Sequence, residues 1–233
     1  MFTTFREKQE RYTTPKPPIR PSSGTGHIIF LEEGEILPPQ PQTTPSLYPE
    51  VTIGTQTWIA INLNVSVYAN GDIIPQVTDP TEWANLTTGA WCWYNNDPTN
   101  ESIYGKLYNW HAVVDPRGIA PDGYHVATST EWSTISSYLT SVGLNGGALK
   151  SLDVWSSPNT GATNSTGFGA IPGGFRSFVA GGFTALNLAA RFWTTENVDT
   201  NNGRSYALNY NSSTLSTSAV SKKYGYSVRC IKD

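Results

Sequence analysis

The chain has 233 residues, enough for one sizeable hydrophobic core with a segment left over, or for two small domains. Charged residues make up 14% and the formal net charge is -3, so there is no basic field of the kind nucleic acid binding requires, which argues against nucleic acid as a partner. Eight Trp and twelve Tyr, with abundant Gly, Asn, Ser and Thr, favour turns, short strands and aromatic anchors over long helices, and they are residue types that adaptable binding loops use.

The first fifty residues differ from the rest. Nine of the sixteen prolines lie there, from Pro15 to Pro49, which removes amide donors and favours extended, polyproline-like chain. Residues 1–50 are therefore expected to be an arm that does not fold alone, ahead of a domain over 51–233. Between the proline clusters, Ile28, Ile29, Phe30 and Leu31 form an apolar run suited to adding a strand to another surface, and Phe2 and Phe5 are suited to filling pockets at the extreme end. These six are the candidate anchoring residues. Residues 1–11 lack the apolar run of a secretion signal, and the sequence has no lipoprotein-like cysteine and no apolar span long enough to cross a bilayer. The expectation is a protein without membrane insertion that stays in the cytoplasm or leaves it by another route.

From Val51 the pattern predicts a strand to about Leu63, then a turn at Asn70-Gly71. Trp91-Cys92-Trp93-Tyr94 reads as strand-like and leads into a loop dense in oxygen donors, from Asn95 to Glu101. Asp97 and Glu101 with three Asn have the chemistry to bind a hard cation such as calcium, but their spacing matches no ligand loop, and the plainer reading is an Asn/Asp turn. Leu107, Tyr108 and His111 or Ala112 recur at helical spacing, which predicts a short helix over 105–114. After a Pro121-Asp122-Gly123 turn, Thr128 stands three residues before Glu131, the pairing in which hydroxyl and carboxylate reciprocally cap a helix start. Behind it Trp132, Ile135, Leu139 and Val142 share one face, and Gly143 supplies a left-handed stop.

Gly173-Gly174 is followed by neither a lysine nor a helix start, so it is read as a site of close backbone packing instead of a phosphate-cradling loop. Farther on, Tyr206, Leu208 and Tyr210 alternate with Ser205, Ala207, Asn209 and Asn211, which predicts that the first set faces the core and the second faces water. Asn197, Asp199, Asn201, Asn202 and Arg204 occupy the preceding loop. Together with Asn209 and Asn211 they are the candidate ligand-binding face, since scaffold loops carry recognition. Cys92 and Cys230 each sit in a strand-like run with the thiol facing inward, either as two buried free thiols or as one bridge closing the domain. His27, His111 and His125 show no paired spacing with them, so neither a metal site nor a cofactor is expected.

Motifs in a fixed order carry a family resemblance: Ile53-Gly-Thr-Gln-Thr-Trp58 with Asn62-Leu63, the stretch from Tyr104 to Trp132, Gly167-Phe168, Ile171-Pro-Gly-Gly-Phe-Arg176, Phe192-Trp-Thr-Thr-Glu196 and Gly225-Tyr-Ser-Val-Arg-Cys230. Over 51–233 they resemble the Fibrobacter succinogenes major paralogous domain. That resemblance implies an α+β, C-type lectin-like fold, similar to the formylglycine-generating enzymes, with short strands, two short helices and a loop-rich binding face. It carries no established activity.

Three function classes follow. Formylglycine-generating enzymes depend on a closely spaced pair of redox cysteines, and this chain has Cys230 alone in that half, so oxidase activity is not expected. A bacterial cell-surface adhesin or glycan-binding module would need an export signal. A virion component would not, because lysis releases it. The expectation is a non-enzymatic phage structural protein of fibre or decoration type. Its arm would clip to other virion proteins, and its lectin-like heads, assembled as a homo-oligomer, would bind a host-surface glycan or protein.

Overall fold

In the computed structural model, which describes residues 48–233, the domain opens with a tight hairpin where a single strand was expected over 51–63. Strand β1 (Glu50–Ile53) turns back through Gly54 and Thr55 into β2 (Gln56–Ile59), with Ile53 opposite Gln56. The fold-back rests on Gly54, whose φ of 62° is the left-handed state that two-residue hairpins demand and that a side chain resists. The proline-rich arm, with Phe2, Phe5, Ile28, Ile29, Phe30 and Leu31, lies outside the described residues.

The remaining elements are mostly short: α1 (Pro80–Asn85), β3 (Trp91–Cys92), α2 (Glu101–Tyr104), β4 (Leu107–Tyr108), α3 (Trp110–Val113), β5 (Tyr124–Val126) and α4 (Ser129–Ser141). After them come β6 (Gly173–Arg176), β7 (Phe183–Leu186), β8 (Ala189–Asn197), β9 (Asn202–Asn209), β10 (Ser216–Ser221) and β11 (Cys230–Lys232). An antiparallel sheet of order β1-β2-β11-β5 joins the first described strand to the last, and a second antiparallel sheet has the order β10-β9-β8. Short strands with a few short helices make the domain α+β.

The helix predicted over 105–114 is corrected. Leu107 and Tyr108 instead form β4 against β3, and Tyr108 exchanges backbone hydrogen bonds with Tyr226 at 2.8 and 3.0 Å. Helical turning is confined to Trp110–Val113 because Asn109 caps it, accepting from the Ala112 N–H at 3.0 Å. Over so short a window, adjacent apolar residues serve a strand buried on both faces as well as a helix, and the period does not discriminate.

Helix α4 follows its sequence signals. Glu131 accepts from the Thr128 N–H at 2.7 Å, Thr128 accepts from the Glu131 N–H, and Gly143 has a φ of 74° just past the helix. Trp132, Ile135 and Leu139 are buried, whereas Val142 is the exposed C-cap, a correction that follows from the helix ending there. Trp132 is the hub of the main core. Its ring stacks on Phe192 and Tyr206, both at 5.2 Å, and meets Trp58 and Phe168 edge-on at 5.0 and 5.7 Å. Such pairs contribute about 0.5–1.5 kcal/mol each beyond the area they bury.

Strand β9 corrects the expected alternation. Tyr206 and Leu208 are buried as predicted, but so are Ser205 and Ala207, and Tyr210 is half-buried. The cause is that β9 lies between β8 and β10 with its second face covered as well: a Cβ on Gly203 would stand 2.6 Å from the Trp110 ring. The glycine pair at the start of β6 behaves as predicted. Gly174 has a φ of 61°, and a Cβ there would lie 2.6 Å from the Thr184 carbonyl oxygen and 2.8 Å from the Leu186 nitrogen.

Buried cations tie the irregular segments to this framework. Arg229, fully buried, donates to Asn62 Oδ1 and to the carbonyls of Ile59, Phe168 and Gly169 at 2.8–3.1 Å, with its guanidinium over the Phe168 ring. Arg176 does the same for Val77, Thr78 and Gly181 beside Trp83. Lys150 holds the carbonyls of Thr160, Asn209 and Ser212 beside Trp155. Replacing Arg229 with Met would keep the bulk and strand those acceptors. R229M is expected to lower unfolding stability by about 3–5 kcal/mol, measured by denaturant melting, and R229K to recover little of it because one ammonium cannot span the same acceptors. A loss below 1 kcal/mol would refute this account.

Candidate functional site

The end of the β8–β9 hairpin is built by its own turn chemistry. Asp199 accepts from the backbone N–H groups of Asn201 and Asn202 at 2.8 and 2.9 Å, and its second oxygen accepts from the Asn202 side-chain amide at 2.8 Å. These bonds, the Asn202 side chain foremost, hold the Asp199 carboxyl below its ordinary range. Beneath the turn, Lys222 donates from Nζ to the carbonyls of Asp199 and Thr200 at 2.8 and 3.1 Å, with the ammonium 4.4 Å from the Trp110 ring centre. Arg204 pairs with Glu196 at 3.2 Å across the hairpin. Asn197, Thr200 and Asn201 remain exposed on this fixed base, and Asn202 and Arg204 are half-buried.

The seven candidate binding residues do not form one face. Asn197, Asp199, Asn201, Asn202 and Arg204 gather at the hairpin end, while Asn209 closes β9 at the opposite end and Asn211 lies in the turn beyond. At ~3.3 Å per residue, β9 separates the two groups by roughly 20 Å. Asn209 is also engaged, its side-chain oxygen accepting from Arg191 at 3.3 Å and its carbonyl from Lys150 at 2.9 Å.

Beside the hairpin end lies a groove of about 490 Å³, lined by Thr200, Asn201 and Asn202 together with residues outside the seven binding candidates. His111 comes from α3, Phe178 from the loop after β6, and Lys222 and Lys223 from the segment after β10. Lys223 donates to the Ala84 carbonyl at 3.0 Å. His111 is half-buried at the end of α3, its ring edge-on to Trp110 at 6.3 Å, and burial first, then Lys222 and Lys223, lowers its pKa. The adjacent Lys222-Lys223 pair was the one signal in the sequence that could have pointed here.

A second hollow, of about 450 Å³, borders His125, Thr128 and Asp233. His125 bridges two carboxylates, Glu131 through Nε2 and Asp233 through Nδ1, both at 2.7 Å. Burial alone would lower the His125 pKa, but the bonds to Asp233 and Glu131 outweigh it and the net direction is upward. In the oxygen-rich loop, Asp97 accepts from Thr99 and Glu101 pairs with Lys106 at 2.7 Å, while Asn96 Oδ1 is buried without a hydrogen-bond partner among the described residues. Cys92 and Cys230 are both buried and free, with their thiols pushed up to about 12 by burial.

A family model for the Fibrobacter succinogenes major domain matches residues 51–232. The chain belongs to this family. No curated protein and no solved structure matches the chain. The matched Fibrobacter succinogenes major domain contains every residue of the hairpin end and of the adjoining groove.

Thiols held near 12 carry almost no thiolate at neutral pH, so both cysteines should resist iodoacetamide in the folded domain and react on denaturation, as followed by intact mass. Rapid labelling of Cys230 in the native state would refute the burial account. The His125 bridge sets a pH dependence. Because its folded pKa is raised, its contribution is fully present below the unfolded value of about 6.5 and is lost as pH rises through the folded value. The gap in melting temperature between wild type and H125Q should therefore be larger at pH 5.5 than at pH 8.5; a gap that is constant or widens with pH would count against the bridge.

Proposed function

We propose that residues 51–233 form a non-enzymatic recognition domain of C-type lectin-like type, and that the hairpin end with its groove binds a host-surface glycan or protein. The observation that carries this reading is the rigid base under an exposed polar tip: Asp199 and Lys222 occupy the turn's own amides and carbonyls, leaving Asn197, Thr200 and Asn201 available to a ligand. A surface ordered before binding loses less conformational entropy when it engages a partner. The lectin-like assignment draws support from the family, from the sheet that joins the first and last strands, and from the long irregular segments between them.

The setting proposed for this domain is a phage particle. Proline in residues 1–50 favours an extended arm suited to docking on other virion proteins, and several heads held together would raise attachment through multivalency. An adhesin on a bacterial surface would use the same hairpin end.

Two experiments test these readings separately. N197A/N201A should weaken attachment of the full chain to host cells about tenfold or more while changing stability by less than about 0.5 kcal/mol, as exposed substitutions do. Unchanged attachment would move the site elsewhere. Removal of residues 1–45 should leave a folded head that no longer co-purifies with particles; co-purification at the intact level would refute the anchoring role.

A further inference from the structure

We propose that the groove beside the β8–β9 hairpin takes an acidic saccharide, with Lys223 and His111 reading its carboxylate. This rests on the recognition reading and names the ligand class. The chain as a whole is acidic, at -3, yet among the described residues the ionisable groups lining this groove are His111, Lys222 and Lys223, all basic. Asp199, next to Thr200 in the chain, accepts from its own turn amides and also interacts electrostatically with Lys222, which leaves Lys223 and His111 as the groups for an anion. A concave site lined by one sign of charge concentrates ligands of the other.

The three basic groups have different work. Lys222 is buried and uses two of its three donors on the turn carbonyls, so it shapes the wall and contributes field. Among the described residues Lys223 has one acceptor, the Ala84 carbonyl, which leaves two N–H directions for an anion. His111 is half-buried in the groove wall, and among the described residues its ring nitrogens have no hydrogen-bond partner. Such an imidazole awaits a ligand or water.

The rest of the lining argues for a sugar. Thr87, Thr200, Asn201 and Ser221 line the groove with hydroxyl and amide groups, and Phe178 offers one aromatic ring for the apolar face of a pyranose. Its volume of about 490 Å³ lies within the ~300–1,000 Å³ of small-ligand sites. A bound carboxylate would oppose the influence of burial, Lys222 and Lys223 on His111 and raise its pKa, so binding strengthens as pH falls through that titration.

The test uses the full chain with a galacturonic acid trisaccharide, a galactose trisaccharide of the same linkage as the neutral match, and an aspartate-rich peptide. His111 ring resonances are followed by NMR across pH, and affinities are measured calorimetrically. The acidic sugar should bind about tenfold more tightly than the neutral one at pH 6 and shift the His111 titration upward, and K223Q should abolish that tenfold preference. Equal binding of the two sugars would overturn the inference and leave the recognition reading standing. Peptide binding as tight as that of the acidic sugar would overturn the saccharide assignment. A His111 titration that no probe alters would overturn it outright; cell attachment by N197A/N201A then judges the recognition reading alone.

Discussion

The fold depends on cations buried among backbone carbonyls. Outside β8, β9 and β10 the described strands have two to four residues, which leaves much of the domain irregular, and irregular chain has carbonyl oxygens without ladder partners. Arg229, Arg176, Lys150 and Lys222 supply the missing donors, each reaching two or more carbonyls and each set beside an aromatic ring; the first three join different segments, and Lys222 holds two neighbouring carbonyls of one turn. No carboxylate among the described residues pairs with these four. Desolvating a charge is costly, but hydrogen bonds to a charged donor contribute about 1.5–3 kcal/mol each, and the ring faces add an attractive quadrupole. Lys106 shows the mixed case, with Glu101 as a partner at 2.7 Å and the Trp91 ring at 4.7 Å.

The same device links architecture to recognition. Trp110 packs against Gly203 on the far face of β9, its indole N–H donates to the Thr194 carbonyl at 3.1 Å, and the Lys222 ammonium rests over the ring while holding the turn carbonyls. The hairpin end is thereby fixed to α3 and to the segment after β10. Two consequences follow from one contact: the exposed amides keep their positions, and Lys223 and His111 are brought to the same groove although 112 residues separate them in the sequence (223 - 111).

Local signals were legible where the physics is local. The Thr128 and Glu131 capping pair and the Gly143 stop each express a backbone requirement met within a few residues, and each stands as read. Where a second surface decides, the pattern misled. Ser205 and Ala207 alternate like a wet face but are buried in a strand flanked by β8 and β10, with Trp110 closing on Gly203 of the same strand; residues 105–114 look helical, and pairing with β3 and Tyr226 makes Leu107 and Tyr108 strand. Asn209 and Asn211 belong to the same polar series as Asn201, but the length of β9 carries them to the other end.

Sequence alone therefore determined the family and its α+β class, through motifs in a fixed order, and also the Thr128–Glu131 cap, the Gly143 stop and the inward direction of Cys92 and Cys230, which follow from residue type and near-neighbour spacing. Tertiary structure decided which carbonyls the buried cations hold, which faces of β9 are dry, and which polar residues share a groove. Those outcomes depend on contacts between segments far apart in the chain, and neither the composition of a segment nor its periodicity encodes the partner that will be brought against it.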